Sequence, residues 1–189
     1  MTDFKERANA AGGRLFDGRA HALEEVVDLY QKKIYNLAYR FTGDSEEAFD
    51  LSQEIFFRCY TRIKYFTPGT DFNAWFMRLA VNASINYKSK IGRNPSHAAF
   101  ELIEDSGTCS DNHSVDKMEE QLNRSRISFF LGQLPKRERM AITLQLWEKK
   151  KVKEISELMG TSVKSVESLL TRARKRMKKI IKKSEGFGL

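Results

Sequence analysis

The feature that most constrains the fold is an apolar stripe near the N-terminus. Apolar residues recur there at steps of three and four, namely at Leu23, Val26, Val27, Tyr30, Ile34, Leu37, Ala38 and Phe41. Because side chains with this spacing share one face of a helix, the stripe predicts a helix of about five turns. Such a helix must bury its apolar face against other elements. Since no alternating pattern is long enough to predict a strand, we expect an all-α protein.

A second helix is predicted after Gly43. Asp44, followed three residues later by Glu47, resembles a capping box, in which the first side chain bonds free N–H groups at the helix start. The buried side of this helix is predicted to consist of Ala48, Leu51, Ile55, Phe56, Cys59, Tyr60 and Ile63. The following run from Phe66 to Thr70 contains Pro68 and Gly69, which favour an ordered loop over a continued helix.

A third helix is predicted from about Asp71 to Ile91. Its apolar face consists of Phe72, Trp75, Phe76, Leu79, Ala80, Ala83 and Tyr87. Trp75 is expected in the hydrophobic core, because it shares this stripe with Phe72 and Leu79. The opposite face aligns Arg78, Asn82 and Asn86.

The apolar periodicity is lost between Gly92 and about Ser114, where Gly, Asn, Pro, Ser and acidic residues predominate, as is typical of a linker. Residues 94–123 contain Lys117 and seven acids, which are Glu101, Glu104, Asp105, Asp111, Asp116, Glu119 and Glu120. We therefore predict two small helical domains joined by a flexible acidic linker. The predicted divisions are an N-terminal extension (1–19), a first domain (20–92), the linker (93–117), a second domain (118–183) and a tail (184–189).

The charge of the chain is concentrated in its final third. Residues 135–183 carry 16 Lys/Arg and five Asp/Glu, a net of +11, whereas the whole chain has +8, so the remainder nets −3. A strongly basic segment suits a polyanionic partner. Nucleic acid is the first candidate, and an anionic membrane surface is the second.

The second domain is predicted to contain four helices. Met118, Leu122, Phe129, Phe130 and Leu134 predict the first of them, and Pro135 suits the first turn of the next. The last two form a helix-turn-helix pattern, in which Gly160 can adopt the left-handed conformation and Ser162 can cap the following helix. The buried side of that helix is predicted to hold Val163, Val166, Leu169, Leu170, Ala173, Met177 and Ile180.

The outward side of the last helix carries groups that can reach base edges and phosphates in the major groove. They are Lys164, Ser165, Glu167, Ser168, Thr171, Arg172 and Lys175, with Arg174 close by. A plain alternative is a solvated helical hairpin with a charged surface. The turn chemistry and the net charge together favour DNA binding.

Two separate sets of motifs resemble extracytoplasmic-function (ECF) sigma factors of the sigma-70 family. The segments that resemble region 4 of that family are Leu134-Pro135, Arg139 to Leu144, Glu154-Ile155 and Val163 to Arg174. The segments that resemble region 2 are Asp50 to Phe56, Phe72 to Trp75 and Arg78 to Asn82. The resemblance covers about residues 20–183, and the two motif sets occur in the family's order.

The resemblance implies that region 2 binds the clamp helices of the largest subunit of core RNA polymerase and opens the minus-10 promoter element. It also implies that region 4 binds the flap of the second-largest subunit and the minus-35 element, and that an anti-sigma factor is a partner. Asp50, Gln53, Glu54 and Phe57 are the expected polymerase contacts. Phe66, Arg78, Asn82 and Asn86 are the expected minus-10 contacts. Lys164, Ser165, Glu167, Ser168, Thr171, Arg172 and Arg174 are the expected minus-35 contacts.

The sequence departs from the family pattern at three places. Glu148 to Val152 replaces the glycine turn usual before the helix-turn-helix, so we expect a more extended or helical connection there. Glu167 stands where basic or polar residues are common, and either reads a base or pairs with Arg174 or Lys164. Asn86-Tyr87-Lys88 replaces the Asp-x-x-Arg often seen.

Two further alternatives stay open at this point. The acidic linker either mimics nucleic-acid charge in the polymerase or is a plain solvated tether. The chain could also be a stand-alone helix-turn-helix regulator whose N-terminal half senses or dimerises. An enzyme is disfavoured, because the sequence has no Gly-rich phosphate loop, no metal-ligand spacing and no triad.

Cysteine and histidine usage gives no sign of a cofactor. Cys59 and Cys109 are isolated, so they predict neither a disulfide framework nor a zinc site. His21, His97 and His113 lie in separate, mostly polar stretches. The sequence also shows no signal peptide and no apolar run long enough to span a bilayer, so we expect a cytoplasmic protein without stable membrane insertion.

Overall fold

The computed structural model describes residues 2–19, 21–88 and 130–185, which fold into α-helices and turns with no strand among them. The helices are α1 (Thr2–Phe16), α2 (Ala22–Thr42), α3 (Ser45–Arg62), α4 (Phe72–Asn86), α5 (Lys136–Leu146), α6 (Val152–Met159) and α7 (Val163–Glu185). A 3-10 turn at Ile63–Tyr65 follows α3. The predicted all-α fold is confirmed. The acidic linker, Cys109, His97, His113, Met118, Leu122 and Phe129 lie outside the described residues.

The junction between α2 and α3 forms as predicted. Gly43 has φ 78°, and its N–H donates to the Tyr39 carbonyl at 2.8 Å. The Asp44 carboxylate then accepts hydrogen bonds from the N–H groups of Glu46 and Glu47, both at 2.9 Å. These bonds satisfy N–H groups that have no partner within the helix, so Asp44 starts α3 directly after the glycine turn.

Helix α1 occupies the segment that we predicted only as an N-terminal extension. Its inner face consists of Ala8, Ala11 and Leu15, all buried against the first domain. An Arg14–Glu25 ion pair joins α1 to α2. The alanines lie at helical spacing but supply a weak apolar signal, so the sequence pattern alone did not reveal this helix.

Two predictions about the first domain are wrong in detail. Tyr60 was assigned to the buried side of α3, but its side chain is 57% exposed. The third helix was expected to reach Ile91, but α4 ends at Asn86, because Tyr87 leaves helical geometry at φ −59° and ψ 133°. Trp75, expected in the hydrophobic core, is partly buried and packs against it.

The turn between α5 and α6 is also not as expected. Lys149 adopts φ 51°, the left-handed conformation that glycine usually supplies, and the Lys150 N–H donates to the Leu144 carbonyl at 3.0 Å. A turn therefore forms at Lys149 without glycine, and the chain is extended at Lys151, at φ −72° and ψ 155°, just before α6 begins. Pro135 precedes α5 as its N-cap residue and does not lie within its first turn.

The second domain packs an aliphatic interior. Leu131, Met140, Leu144 and Ile155 are almost fully buried, and Val166, Leu169, Leu170 and Ala173 supply the inner face of α7. Val163, the first residue of α7, was also predicted on that face, but it is 43% exposed. Met177 and Ile180 are partly buried.

Two arginines connect the domains. The Arg139 guanidinium donates to the Phe41 carbonyl at 2.9 Å and lies 5.4 Å from the centre of the Phe41 ring. Arg40 lies 3.3 Å from the Glu148 carboxylate and 5.9 Å from the centre of the Trp147 ring. Helix α4 of the first domain packs against α6, which is the first helix of the helix-turn-helix.

Candidate functional site

The outer face of α3 carries the residues predicted to bind a protein. Gln53 and Phe57 are exposed, with 67% of Phe57 accessible, while Asp50 and Glu54 are partly buried. The Glu54 carboxylate accepts a hydrogen bond from Arg58 Nε at 2.9 Å, one turn further along. The helix therefore presents a polar face with an exposed phenylalanine, as predicted.

Two more aromatic residues lie exposed on α3, and neither was predicted to belong to this surface, since Phe49 was given no role and Tyr60 was assigned to the buried side. Phe49 is 56% exposed and Tyr60 is 57% exposed. Phe49, Gln53, Phe57 and Tyr60 follow one another at steps of four, four and three, so they share a face. We call Phe49, Phe57 and Tyr60 the aromatic stripe of α3. Exposed aromatic groups in a row are typical of protein interfaces, and this spacing from Phe57 was the signal that could have found them.

Phe66, predicted to stack on an unpaired base, lies in the hydrophobic core and is 3% exposed. Its ring centre is 5.4 Å from that of Phe72 and 5.5 Å from that of Trp75. The neighbouring Tyr65 is 70% exposed, and the Lys64 ammonium lies 5.3 Å from the centre of its ring. In this conformation, Phe66 would have to shift before a base could stack on its face, and its role in DNA opening stays a prediction.

The outer face of α4 carries Arg78, Asn82 and Asn86 at steps of four, as expected. Arg78 and Asn86 are exposed and Asn82 is partly buried. The Asn82 amide donates to the Arg78 carbonyl at 2.9 Å. A Cβ atom added to Gly160 would lie 3.4 Å from Arg78 Nη2, which shows that this face lies beside the helix-turn-helix.

The helix-turn-helix has the predicted turn chemistry. Gly160 adopts φ 59°, and the Thr161 N–H donates to the Ser156 carbonyl at 3.0 Å. The Ser162 hydroxyl accepts from the Ser165 N–H at 3.2 Å, so Ser162 caps α7. At the start of α6, the Glu154 carboxylate accepts from the Lys151 N–H at 2.8 Å, which lowers the pKa of Glu154 together with the nearby Lys150 ammonium.

The outward face of α7 is strongly polar. Lys164, Glu167, Ser168, Thr171, Arg172, Arg174 and Lys175 are exposed, and Ser165 is partly buried. The Glu138 carboxylate, on a residue 5% exposed, lies 3.4 Å from Arg172 and 3.0 Å from Arg176. Helix α5 therefore braces two α7 arginines whose side chains remain about half exposed to a partner.

Glu167 and Arg174 do not pair with each other. Arg174 donates to the Gln145 amide oxygen at 2.7 Å, and the Glu167 carboxylate has no ion-pair partner within the described parts of the chain. An exposed carboxylate on the outward face can accept a hydrogen bond from a base edge. The geometry therefore leaves base reading open to Glu167.

Other chemistry-bearing groups form no further site in the described ranges 2–19, 21–88 and 130–185. Burial raises the pKa of the Cys59 thiol to about 12, so it stays protonated and unreactive at neutral pH. No cluster of three His, Cys, Asp or Glu residues suitable for a metal occurs there. Within the same ranges, no helix is long and apolar enough to cross a bilayer.

Comparison with protein families assigns both halves of the chain. Residues 26–94 match the family described as Sigma-70 region 2, and residues 124–177 match the family described as Sigma-70, region 4. The first match covers α3, α4 and most of α2, and the second covers α5, α6 and most of α7. The two surfaces described above therefore lie in separate sigma regions.

Curated relatives match over nearly the whole chain. The RNA polymerase sigma-H factor of Pseudomonas aeruginosa is 30% identical, with 89% of this chain and 90% of the relative covered. The ECF RNA polymerase sigma-E factor of Escherichia coli is 31% identical, with 85% and 87% covered. The ECF sigma factor SigW of Bacillus subtilis is 26% identical, with 86% and 90% covered.

Solved structures share the fold at lower sequence identity. CnrH, in a complex with the cytosolic domain of CnrY, matches with a TM-score of 0.63 and 19% identity, covering 93% of this chain and 97% of CnrH. RpoE from Bartonella quintana, in a complex with the anti-sigma factor NepR, matches with a TM-score of 0.52 and 16% identity, covering 86% of this chain and 98% of RpoE.

The regions, their order and these relatives define a class of transcription initiation factor. The chain belongs to the sigma-70 family and is an ECF-type sigma factor. It acts with RNA polymerase in promoter recognition and transcription initiation.

Proposed function

We propose that the aromatic stripe of α3, with Asp50, Gln53 and Glu54, binds the clamp helices of core RNA polymerase. The observation that carries this proposal is the row of three exposed aromatic side chains beside polar groups on a single helix face. Large aromatic residues that a monomer leaves in water become favourable contacts when a partner covers them. The proposal implies a cytoplasmic location, because the polymerase works there.

Promoter opening is assigned to the loop after α3 and the outer face of α4. Opening a duplex requires a base to leave the stack, which costs a few kcal/mol unless a pocket receives it. Phe66 would provide the stacking surface after shifting from its packed position beside Phe72 and Trp75, and the Asn82 amide would contact the base. Arg78 and Asn86 would hold the minus-10 strand nearby.

Recognition of the minus-35 element is assigned to α7, and contact with the polymerase flap to the same domain. Lys164, Ser165, Glu167, Ser168, Thr171, Arg172 and Arg174 are the proposed DNA contacts. Their support is the exposed polar face directly after a capped helix-turn-helix. The Glu138 carboxylate would hold Arg172 in position before DNA binds.

An anti-sigma factor is proposed as a further partner. RpoE from Bartonella quintana, which shares this fold, forms a complex with the anti-sigma factor NepR. In this chain, a similar partner would have to cover the aromatic stripe or the faces of α4 and α7. It would then compete with polymerase or with promoter DNA.

Run-off transcription with purified core RNA polymerase on a genomic promoter library tests the proposal. We expect Phe57→Ala to lower holoenzyme affinity by about 1–3 kcal/mol without changing the stability of the free protein. Phe16→Ala is the control, because Phe16 is also exposed, at 39%, but belongs to α1 and not to the stripe on α3. Equal transcription and equal polymerase affinity for the two variants would overturn the proposed interface.

A further inference from the structure

The start of α4 is completed by a side chain from α1. Phe72 is the first residue of α4, and its N–H has no acceptor within the helix. The Asn9 amide oxygen accepts that N–H at 2.9 Å. Asp71 caps a further free group by accepting from the Ala74 N–H at 3.0 Å. The cap of α4 therefore depends on a residue 63 positions earlier in the chain.

A second polar contact ties the same two elements together. The Lys5 ammonium lies 3.0 Å from the Asp71 carboxylate. Burial alone would raise the pKa of Asp71, but hydrogen bonds from the Ala74 N–H and from Lys5 outweigh it, so the pKa is lowered. Both side chains are well exposed, so this ion pair contributes little stability by itself. It adds a second contact between α1 and the residue that caps α4.

Close packing at Gly12 seats the Phe72 ring against α1. A Cβ atom added to Gly12 would overlap three atoms of that ring, whereas one added to Gly13 would meet nothing within 4 Å. Gly12 is buried and lies in the middle of α1. A glycine in a helix interior costs helix propensity, so its lack of a side chain serves the approach of Phe72.

Phe72 in turn supports the loop that precedes α4. The Phe66 ring packs edge-on against Phe72, with ring centres 5.4 Å apart and planes at 90°. The Trp75 ring centre lies 5.6 Å from that of Phe72. Helix α1 also contacts the 3-10 turn directly before Phe66. A continuous set of contacts thus leads from α1 through Phe72 to Phe66.

We propose that α1, through Asn9 and Gly12, positions the start of α4 and the loop that carries Phe66, from which Phe66 must shift to receive a base, for promoter opening. The inference rests on the proposed function of Phe66, and it makes Asn9 and Gly12 positioning residues that act through Phe72. It assigns a role in DNA melting to a helix that lies outside both matched sigma regions.

The experiment compares open-complex formation by holoenzyme on duplex and on pre-melted promoters. Asn9→Leu removes the acceptor, while Asn9→Asp keeps one. Gly12→Ala disturbs the Phe72 contact, while Gly13→Ala is its matched control. Because stacking on one aromatic contributes on the order of 1–3 kcal/mol, we expect Asn9→Leu and Gly12→Ala to slow opening of the duplex on the order of fivefold or more.

The same two variants should form open complexes on the pre-melted promoter at nearly the wild-type rate and keep wild-type affinity for core RNA polymerase. Asn9→Asp and Gly13→Ala should resemble wild type on both templates. If Gly12→Ala fails to fold, as circular dichroism would show, the Asn9 pair still decides the question.

Phe66→Ala separates this inference from the function on which it rests. If Phe66→Ala impairs only duplex opening but Asn9→Leu opens duplex at the wild-type rate, the positioning role of α1 is wrong. Equal losses on both templates in Asn9→Leu would also overturn it, because they would indicate general destabilisation. If Phe66→Ala itself has no duplex-specific defect, the proposed role of Phe66 is the part that fails, and the inference falls with it.

Discussion

The two halves of the molecule differ in the side chains that they bury and in those that they expose to a partner. The first half buries Tyr30, Phe72 and Phe76 completely and still exposes three aromatics on α3. The second half has an aliphatic interior, in which Met140, Leu144 and Ile155 are fully buried. Its net charge lies in residues 135–183, at +11, while the rest of the chain nets −3. Exposed aromatic side chains suit a protein partner, whereas exposed cations along a helix suit a polyanion.

The largest expected effect comes from removing a buried isoleucine in each half. Ile55 in α3 and Ile155 in α6 are both 0% exposed, and Ile→Ala at such sites costs about 2–5 kcal/mol. We expect Ile55→Ala to abolish binding to core RNA polymerase. Ile155→Ala should weaken minus-35 recognition and leave much of the polymerase affinity in place. Denaturant unfolding of the full chain measures the loss of stability, and a binding assay with core RNA polymerase measures the loss of affinity. Equal loss of polymerase affinity in the two variants would contradict the assignment of polymerase binding mainly to the first half.

The next effect separates sequence reading from affinity on α7. Glutamate can accept a hydrogen bond from cytosine N4, so we expect Glu167→Ala to remove about 1–3 kcal/mol of discrimination at one base pair of the minus-35 element. Lys178, exposed further along α7, should contact phosphate instead. Lys178→Ala should weaken binding to every sequence alike and reduce the salt dependence by about one phosphate contact. Binding-site selection that recovers the same motif from wild type and Glu167→Ala would rule out base reading by Glu167.

The smallest effect concerns two left-handed residues that flank α6. Lys149, at φ 51°, carries a side chain where glycine is favoured, and Gly160, at φ 59°, already has none. Because this conformation costs a residue with a side chain about 1 kcal/mol, we expect Lys149→Gly to be neutral or slightly stabilising and Gly160→Ala to be destabilising by about 1 kcal/mol. Thermal unfolding of both variants checks the sign. A loss of stability in Lys149→Gly would show that the lysine side chain has a structural role in the turn.

Short sequence patterns predicted much of this fold, because the interactions that form its turns and helix caps join residues close together in the sequence. The glycine at 43, the Asp44 cap and the serine cap at 162 act within a few residues, and each formed as expected. The turn at Lys149 was missed because the residue adopts a left-handed conformation, at φ 51°, that a residue with a side chain disfavours. Propensity is a weak guide wherever tertiary contacts decide the backbone.

Burial was harder to predict than helicity. Tyr60, in α3, and Phe66, after the 3-10 turn, are both aromatic, yet the first is 57% exposed and the second 3%. Apolar and aromatic residues occur on more than one side of α3. Helical periodicity therefore could not show whether Tyr60 is buried or exposed. Phe66 is buried by Phe72 and Trp75, which come later in the chain. The docking of α1 depends on Asn9 and Gly12 meeting Phe72, a contact between distant residues that no short motif signals.

The most direct test of the account measures promoter DNA binding by the full chain with and without core RNA polymerase. An ECF sigma factor whose two halves bind different partners should bind promoter DNA weakly alone and tightly in the holoenzyme. Phe57→Ala should lose the gain that polymerase provides and leave the weak binding unchanged. Tight, sequence-specific binding without polymerase, as a dimer on two half-sites about one helical turn apart, would contradict the account and indicate a stand-alone regulator.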